Sequence, residues 1–208
     1  MVRRLLWTAA IAALYAFFWN WYGGAGKPVS QAELADFFER VDANQSANLL
    51  ENEADALAFR DRIRAMVADD DGREFYMVNL DQLAEGPDAE AADRRYAETV
   101  LPLLVRRGSF PVLVTTKSSN MLGDFGEEVD RVAIVRYRSL RDFLDMISHP
   151  DLVAGVPDKE ASLAHNDVFV TRPLVSLAGV RSTVALMLVF VWLIGTWIIN
   201  RFFSRPAR

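Results

Sequence analysis

Two uncharged apolar runs bracket the chain: residues 5–22, LLWTAAIAALYAFFWNWY, and residues 182–200, STVALMLVFVWLIGTWIIN. As helices rising about 1.5 Å per residue, they reach roughly 27 Å, close to the thickness of a bilayer's hydrocarbon core. Trp19, Trp21 and Tyr22 close the first run, where amphipathic rings favour the headgroup zone. The pattern predicts two transmembrane helices.

Between them the period changes. GGAGKPVS (residues 23–30) is a glycine-proline linker without the spacing of a phosphate loop. Ser30 opens SQAE, a capping box with Glu33, and Leu34, Phe37, Phe38 and Val41 follow on one helical face. A second helix is expected from about Glu53 to Ala68, with Ala56, Phe59, Ile63, Met66 and Val67 on one side. DDDG stops it; with no ligand spacing behind the aspartates, a solvated turn outweighs a cation site. Residues 31–70 thus form a helical segment.

From residue 73 the alternation is that of strands. In FYMVNL, Phe75, Met77 and Asn79 point one way and Tyr76, Val78 and Leu80 the other, so the strand is apolar on both faces and expects cover on both. EAADRRYAETVLPLLVRRG is a helix with Ala92, Tyr96, Val100 and Leu103 inward, kinked at Pro102 and closed by Gly108. FPVLVTTK (110–117) and DRVAIVRYR (130–138) are strands joined by SSNMLGDFGEEV. Ser139 caps a further helix with Asp142, and Leu140, Phe143, Leu144 and Ile147 line its inner face. HPDLVAGVPDKEASLAH leads to a last strand, NDVFVTR. The order is that of an α+β, ferredoxin-like βαββαβ domain over residues 73–172, with both helices on one side of an antiparallel sheet. Val112, Val114, Ala133 and Val135 are expected on the other side. The two preceding helices or the sheet of a second copy would have to cover them.

Charge orients this plan. Arg3 and Arg4 precede the first apolar run, and Arg201, Arg205 and Arg208 follow the second. Residues 23–182 hold the other 18 basic and all 28 acidic residues, a net charge of −10. By the positive-inside rule the short tails, 1–4 and 201–208, are cytoplasmic and the middle domain is periplasmic, on a bacterial inner membrane. A cleaved signal peptide is the rival for the first run, but small residues suited to cleavage do not come before Gly24 or Gly26. The absence of cysteine excludes disulfides and thiol chemistry. The acidic middle repels phosphate backbones, so no nucleic-acid partner is expected.

FYMVNL, RRYAETVLPLLVRRG and VAIVRYRSLRDFLDMISHPD together resemble an uncharacterised family of the dimeric α/β-barrel superfamily. Antibiotic-biosynthesis-type monooxygenases, stress-responsive barrel domains and chlorite-dismutase-like haem proteins belong to the same superfamily. The resemblance spans about residues 73–172 and implies a fold and pairing between two sheets. It does not imply one activity, because the superfamily hosts enzymes and binders alike.

Few side chains offer chemistry. Asn79, Tyr96 and Arg136 are ligand-binding candidates if one cavity gathers them; otherwise they are a bonded core amide, a packed phenol and an arginine leaving the core. His149, before Pro150, is a weak catalytic candidate and a better helix-terminal cap; no histidine, cysteine or carboxylate spacing supports a metal, and no cofactor is expected. Met121, Leu122 and Phe125 stand in a glycine-rich loop, as a lid, a partner contact, or residues tucked under the domain. The favoured reading is a non-catalytic accessory, assembly or interaction subunit. It would act as a homodimer or in a larger membrane complex. The alternative is a cofactor-independent enzyme or binder of small apolar molecules, monooxygenase-like or isomerase-like, that uses the barrel cavity.

Overall fold

The computed structural model describes residues 2–24, 26–43, 53–174 and 180–203, so Arg205 and Arg208 lie outside the described residues. The elements are, in order, α1 (Val2–Gly23), α2 (Gln31–Ala43), α3 (Glu53–Ala68), β1 (Phe75–Leu83), α4 (Pro87–Arg106), β2 (Phe110–Thr116), β3 (Arg131–Tyr137), α5 (Leu140–Ile147), α6 (Pro150–Ser162), β4 (Leu163–Thr171) and α7 (Val180–Phe203). They fall into two units, Met1–Tyr22 with Leu174–Arg208, and Gly23–Pro173.

In the first unit α1 and α7 are long and apolar enough to cross a membrane. They run antiparallel. Trp7 Nε1 donates to the Trp192 carbonyl at 3.2 Å, and Trp192 Nε1 returns a bond to Thr8 Oγ1 at 2.9 Å. Gly195 makes room for this: a Cβ there would fall inside the Trp7 indole. Outward, Leu6, Phe17, Leu186 and Phe190 are exposed.

The second unit is α+β. Its four strands form one antiparallel sheet in the order β2-β3-β1-β4. Phe75, Met77, Val135 and Tyr137 turn one face toward Leu103 and Leu104 of α4 and Phe143 of α5. The rings of Phe75, Tyr137 and Phe143 meet at 5.0–5.9 Å. Leu34, Phe37 and Val41 of α2, with Ile63 and Val67 of α3, extend this same core. Burial of each such side chain contributes about 1.5–3 kcal/mol. The capping boxes form as expected: Glu33 N–H donates to Ser30 Oγ at 3.3 Å, and Asp142 N–H to Ser139 Oγ at 3.2 Å.

Three expectations are corrected. Val114, Ala133 and Val135 do not lie on the uncovered face; Val135 packs against the helices, Val114 pairs with Ala133 on that same face, and β3 turns Val132 and Ile134 the other way. A strand apolar on both sides does not encode which side its crossover helices take. Nor do α2 and α3 cover the open face, since they join the core on the helical side. Finally, HPDLVAGVPDKEASLAH is largely helix α6, hidden by two prolines. Pro150 occupies the tolerated first position, and Pro157 is accommodated where α6 lies so close to α4 that a Cβ on Gly155 would stand 3.2 Å from Thr99. Pro102 lies inside α4, whose buried Leu103 and Leu104 hold the last turn.

Candidate functional site

Residues directly opposite each other on neighbouring strands share a sheet face. Asn79 pairs with Ala133, whereas Arg136 pairs with Tyr76, three positions on from Ala133 and therefore on the opposite face. The two side chains leave the sheet on opposite faces, so the expected grouping of Asn79, Tyr96 and Arg136 is not formed. Asn79 Nδ2 is spent on the Ala133 carbonyl at 3.1 Å. Arg136 is only 1% exposed. Its Nε donates to Glu74 Oε2 at 2.8 Å, its Nη1 to the Gly108 carbonyl at 2.9 Å, and its guanidinium lies 5.5 Å from the Phe110 ring. This arginine ties the start of β1 to the α4–β2 turn.

The polar cluster that does form was not legible as one in the sequence. Asp81 sits on the helix side of β1, beside the bulge at Gln82/Leu83. Arg131 of β3 and Asn166 of β4 are its register partners, and both donate to it: Arg131 Nε to Oδ2 at 2.8 Å and Asn166 Nδ2 to Oδ1 at 2.5 Å. Arg131 Nη1 also bonds both Asp93 oxygens on α4, at 2.9–3.0 Å. Burial alone would pull the Arg131 guanidinium down, but its bonds with Asp93 and Asp81 hold it above its ordinary value. Tyr96 stands three residues beyond Asp93 on α4. Burial, then the Asp81 charge, pushes its phenol from 10.0 up to about 12. Lys159 of α6 is shifted down, first by burial, with Asp81 and Glu160 opposing. Tyr96 of α4 and Lys159 of α6 both feel the charge of Asp81 on the helix side of the sheet.

His149 caps α6: its Nδ1 accepts from the Asp151 N–H at 3.2 Å. Lys117 Nζ clamps the foot of the β2–β3 loop through the carbonyls of Gly126 (2.7 Å) and Glu127 (2.5 Å), while Met121, Leu122 and Phe125 stand out in solvent rather than tucking under the unit. The sheet face away from the helices carries Val78, Leu80, Val132 and Ile134, flanked by Leu113 and Phe169, which are 47% and 46% exposed. A separate open cleft of about 490 Å³ lies between the end of α3 and the far end of the sheet, lined by Met66, Asp69, Arg73, Phe75, Val170 and Arg172. It includes none of Asn79, Tyr96 and Arg136. Asp70 and Asp71, at its edge, cap the turn after α3, accepting from Gly72 N–H and Arg73 N–H at 3.0 Å each.

A chain that carries an α+β unit and a unit of two apolar helices is the class of molecule these observations define. No family model and no curated protein matches the chain. Solved structures do: the RPA0582 protein, of unknown function, from Rhodopseudomonas palustris is 24% identical with a TM-score of 0.51, over 56% of this chain and 95% of its own. Methylated RPA0582 matches with the same identity and score over 57% and 93%. At this identity the likeness concerns the fold alone.

Proposed function

We propose that the chain is a two-pass inner-membrane protein. It would hold a ferredoxin-like domain of the dimeric α/β-barrel type on the periplasmic side, as a non-catalytic accessory, assembly or interaction subunit. The strand order β2-β3-β1-β4 within β-α-β-β-α-α-β supports the ferredoxin-like assignment. The two apolar helices support the anchor, and the acidic middle between basic ends supports the orientation. One observation carries the interaction role: the apolar sheet face is left open by every helix of its own unit that joins the core. A contiguous apolar face is stable when covered, and the sheet of a second copy has the matching flat shape.

The test is the oligomeric state of the full-length protein in detergent. Wild type is expected as a dimer, and Leu113→Asp or Ile134→Asp as a monomer with unchanged circular dichroism. Leu113 is on an edge strand and half exposed, so its substitution leaves the fold intact even if that of Ile134 does not. Dimers that survive both folded variants would exclude this face.

The Asp81–Tyr96–Lys159 convergence favours a second reading, a cofactor-independent binder or enzyme of small molecules. On that reading Lys159, shifted down by burial, should be acetylated at a lower pH in the folded chain than in the unfolded one. Mass mapping of labelled peptides would show this, and equal labelling thresholds would remove its support.

A further inference from the structure

Arg181, in the first turn of α7, is a cation that makes no ion pair among the described residues. Its guanidinium lies 4.4 Å from the centroid of the Trp19 ring and 5.5 Å from that of Tyr22. Tyr15 Oη donates to the Arg181 carbonyl at 3.4 Å, which sets the backbone beside the same aromatic end of α1. The Arg181 Nε is buried with no hydrogen-bond partner, and the guanidinium forms no ion pair among the described residues. Neither α1 nor α7 contains an acidic residue, so these helices supply no carboxylate there. A guanidinium held against two rings has lost part of its hydration and much of its conformational freedom, so an anion that reaches it meets a preformed fork.

We infer that Arg181, framed by Trp19 and Tyr22, binds the phosphate of a phospholipid headgroup at one end of the α1–α7 pair. The inference rests on the reading of these helices as membrane spans. The rings mark that end as the interfacial zone, where amphipathic aromatics gather and where phosphate is the abundant anion. Planar, bidentate donation from Arg suits a phosphodiester, and a headgroup without its own cation, such as phosphatidylglycerol, fits best.

The experiment uses the full chain, extracted gently and studied by native mass spectrometry while phosphatidylglycerol is titrated. Wild type is expected to hold one lipid more tightly than the rest, and Arg181→Gln to bind it about tenfold more weakly with unchanged helicity. Arg181→Lys, which keeps the charge and loses the fork, should fall between them. Equal binding by wild type and Arg181→Gln would overturn the site, as would displacement of the lipid by millimolar inorganic phosphate, which would make free phosphate the ligand. Alkaline carbonate washing of membranes separates this from the underlying reading. Protein that stays in the bilayer but shows no Arg181-dependent lipid refutes the site alone, and protein that washes out refutes both.

Discussion

Glu33 serves two partners with one carboxylate. Its Oε2 accepts from the Ser30 N–H and hydroxyl at 2.8 Å each, closing the start of α2, and its Oε1 accepts from Arg141 Nε of α5 at 2.6 Å. The Arg141 bond, followed by those from Ser30, lowers its pKa from 4.5 to about 2. A carboxylate lowered in the folded state binds fewer protons there than in the unfolded chain. Its stabilisation is therefore complete above about pH 4.5 and is lost as pH falls toward about 2. Glu33→Gln is expected to flatten that acid limb in thermal melts taken at a series of pH values. Salt should weaken the wild-type effect, because the Glu33 side chain is 42% exposed. An acid limb of equal depth in the variant would exclude Glu33 as its source. The Ser30–Glu33 and His149–Asp151 caps are legible in the sequence because their partners lie within three positions, whereas the Glu33–Arg141 bond spans 108. Arg136 and Glu74 are 62 positions apart, and nothing local announces that they meet.

At the scale of elements, glycine marks where one piece of chain must pass close to another. Gly72 follows α3 with φ 73°, and a Cβ there would collide with the Lys27 backbone. Val29 N–H meets Asp70 Oδ2 at 2.7 Å at the same junction, so the turn after α3 holds down the strap leading into α2. Gly26 has a similar φ of 62° with nothing within 4 Å of a built Cβ. Gly26→Ala should therefore cost only the backbone term, about 1 kcal/mol, and Gly72→Ala on the order of 2 kcal/mol or more, read as shifts in the denaturation midpoint. Equal shifts would mean that the close approach does not matter. The strands and α2 to α5 were readable from period and caps. α6 was not, because Pro157 inside a helix is tolerated only where a neighbour such as α4 supports it.

For the whole molecule, the arrangement of charge makes the strongest statement. All 28 acidic residues lie between the two apolar helices. Alkaline phosphatase, active only after export, is expected to be active when inserted at the exposed Gly123 in the β2–β3 loop. A cytoplasmic reporter at the same point should be silent. The reverse pattern would place the α+β unit in the cytoplasm and end the periplasmic reading. The α+β unit itself, residues 23–173, holds 17 basic and 28 acidic residues, a net charge of −11, which predicts poor adhesion to anionic surfaces, whatever its partner.

The sequence by itself determined the two apolar helices, the capped starts of α2 and α5, and the order of strands. Each depends on residues within a few positions, where period and capping chemistry act. Only the tertiary structure decided which face of the doubly apolar sheet the helices cover, because alternation is symmetric until a helix lands on one side. The same decision separated Asn79 from Arg136 and gathered Asp81, Asp93, Tyr96, Arg131, Lys159 and Asn166 from β1, α4, β3, α6 and β4. Strand register brings such residues together, and register emerges from the packing of the sheet as a whole rather than from any one segment.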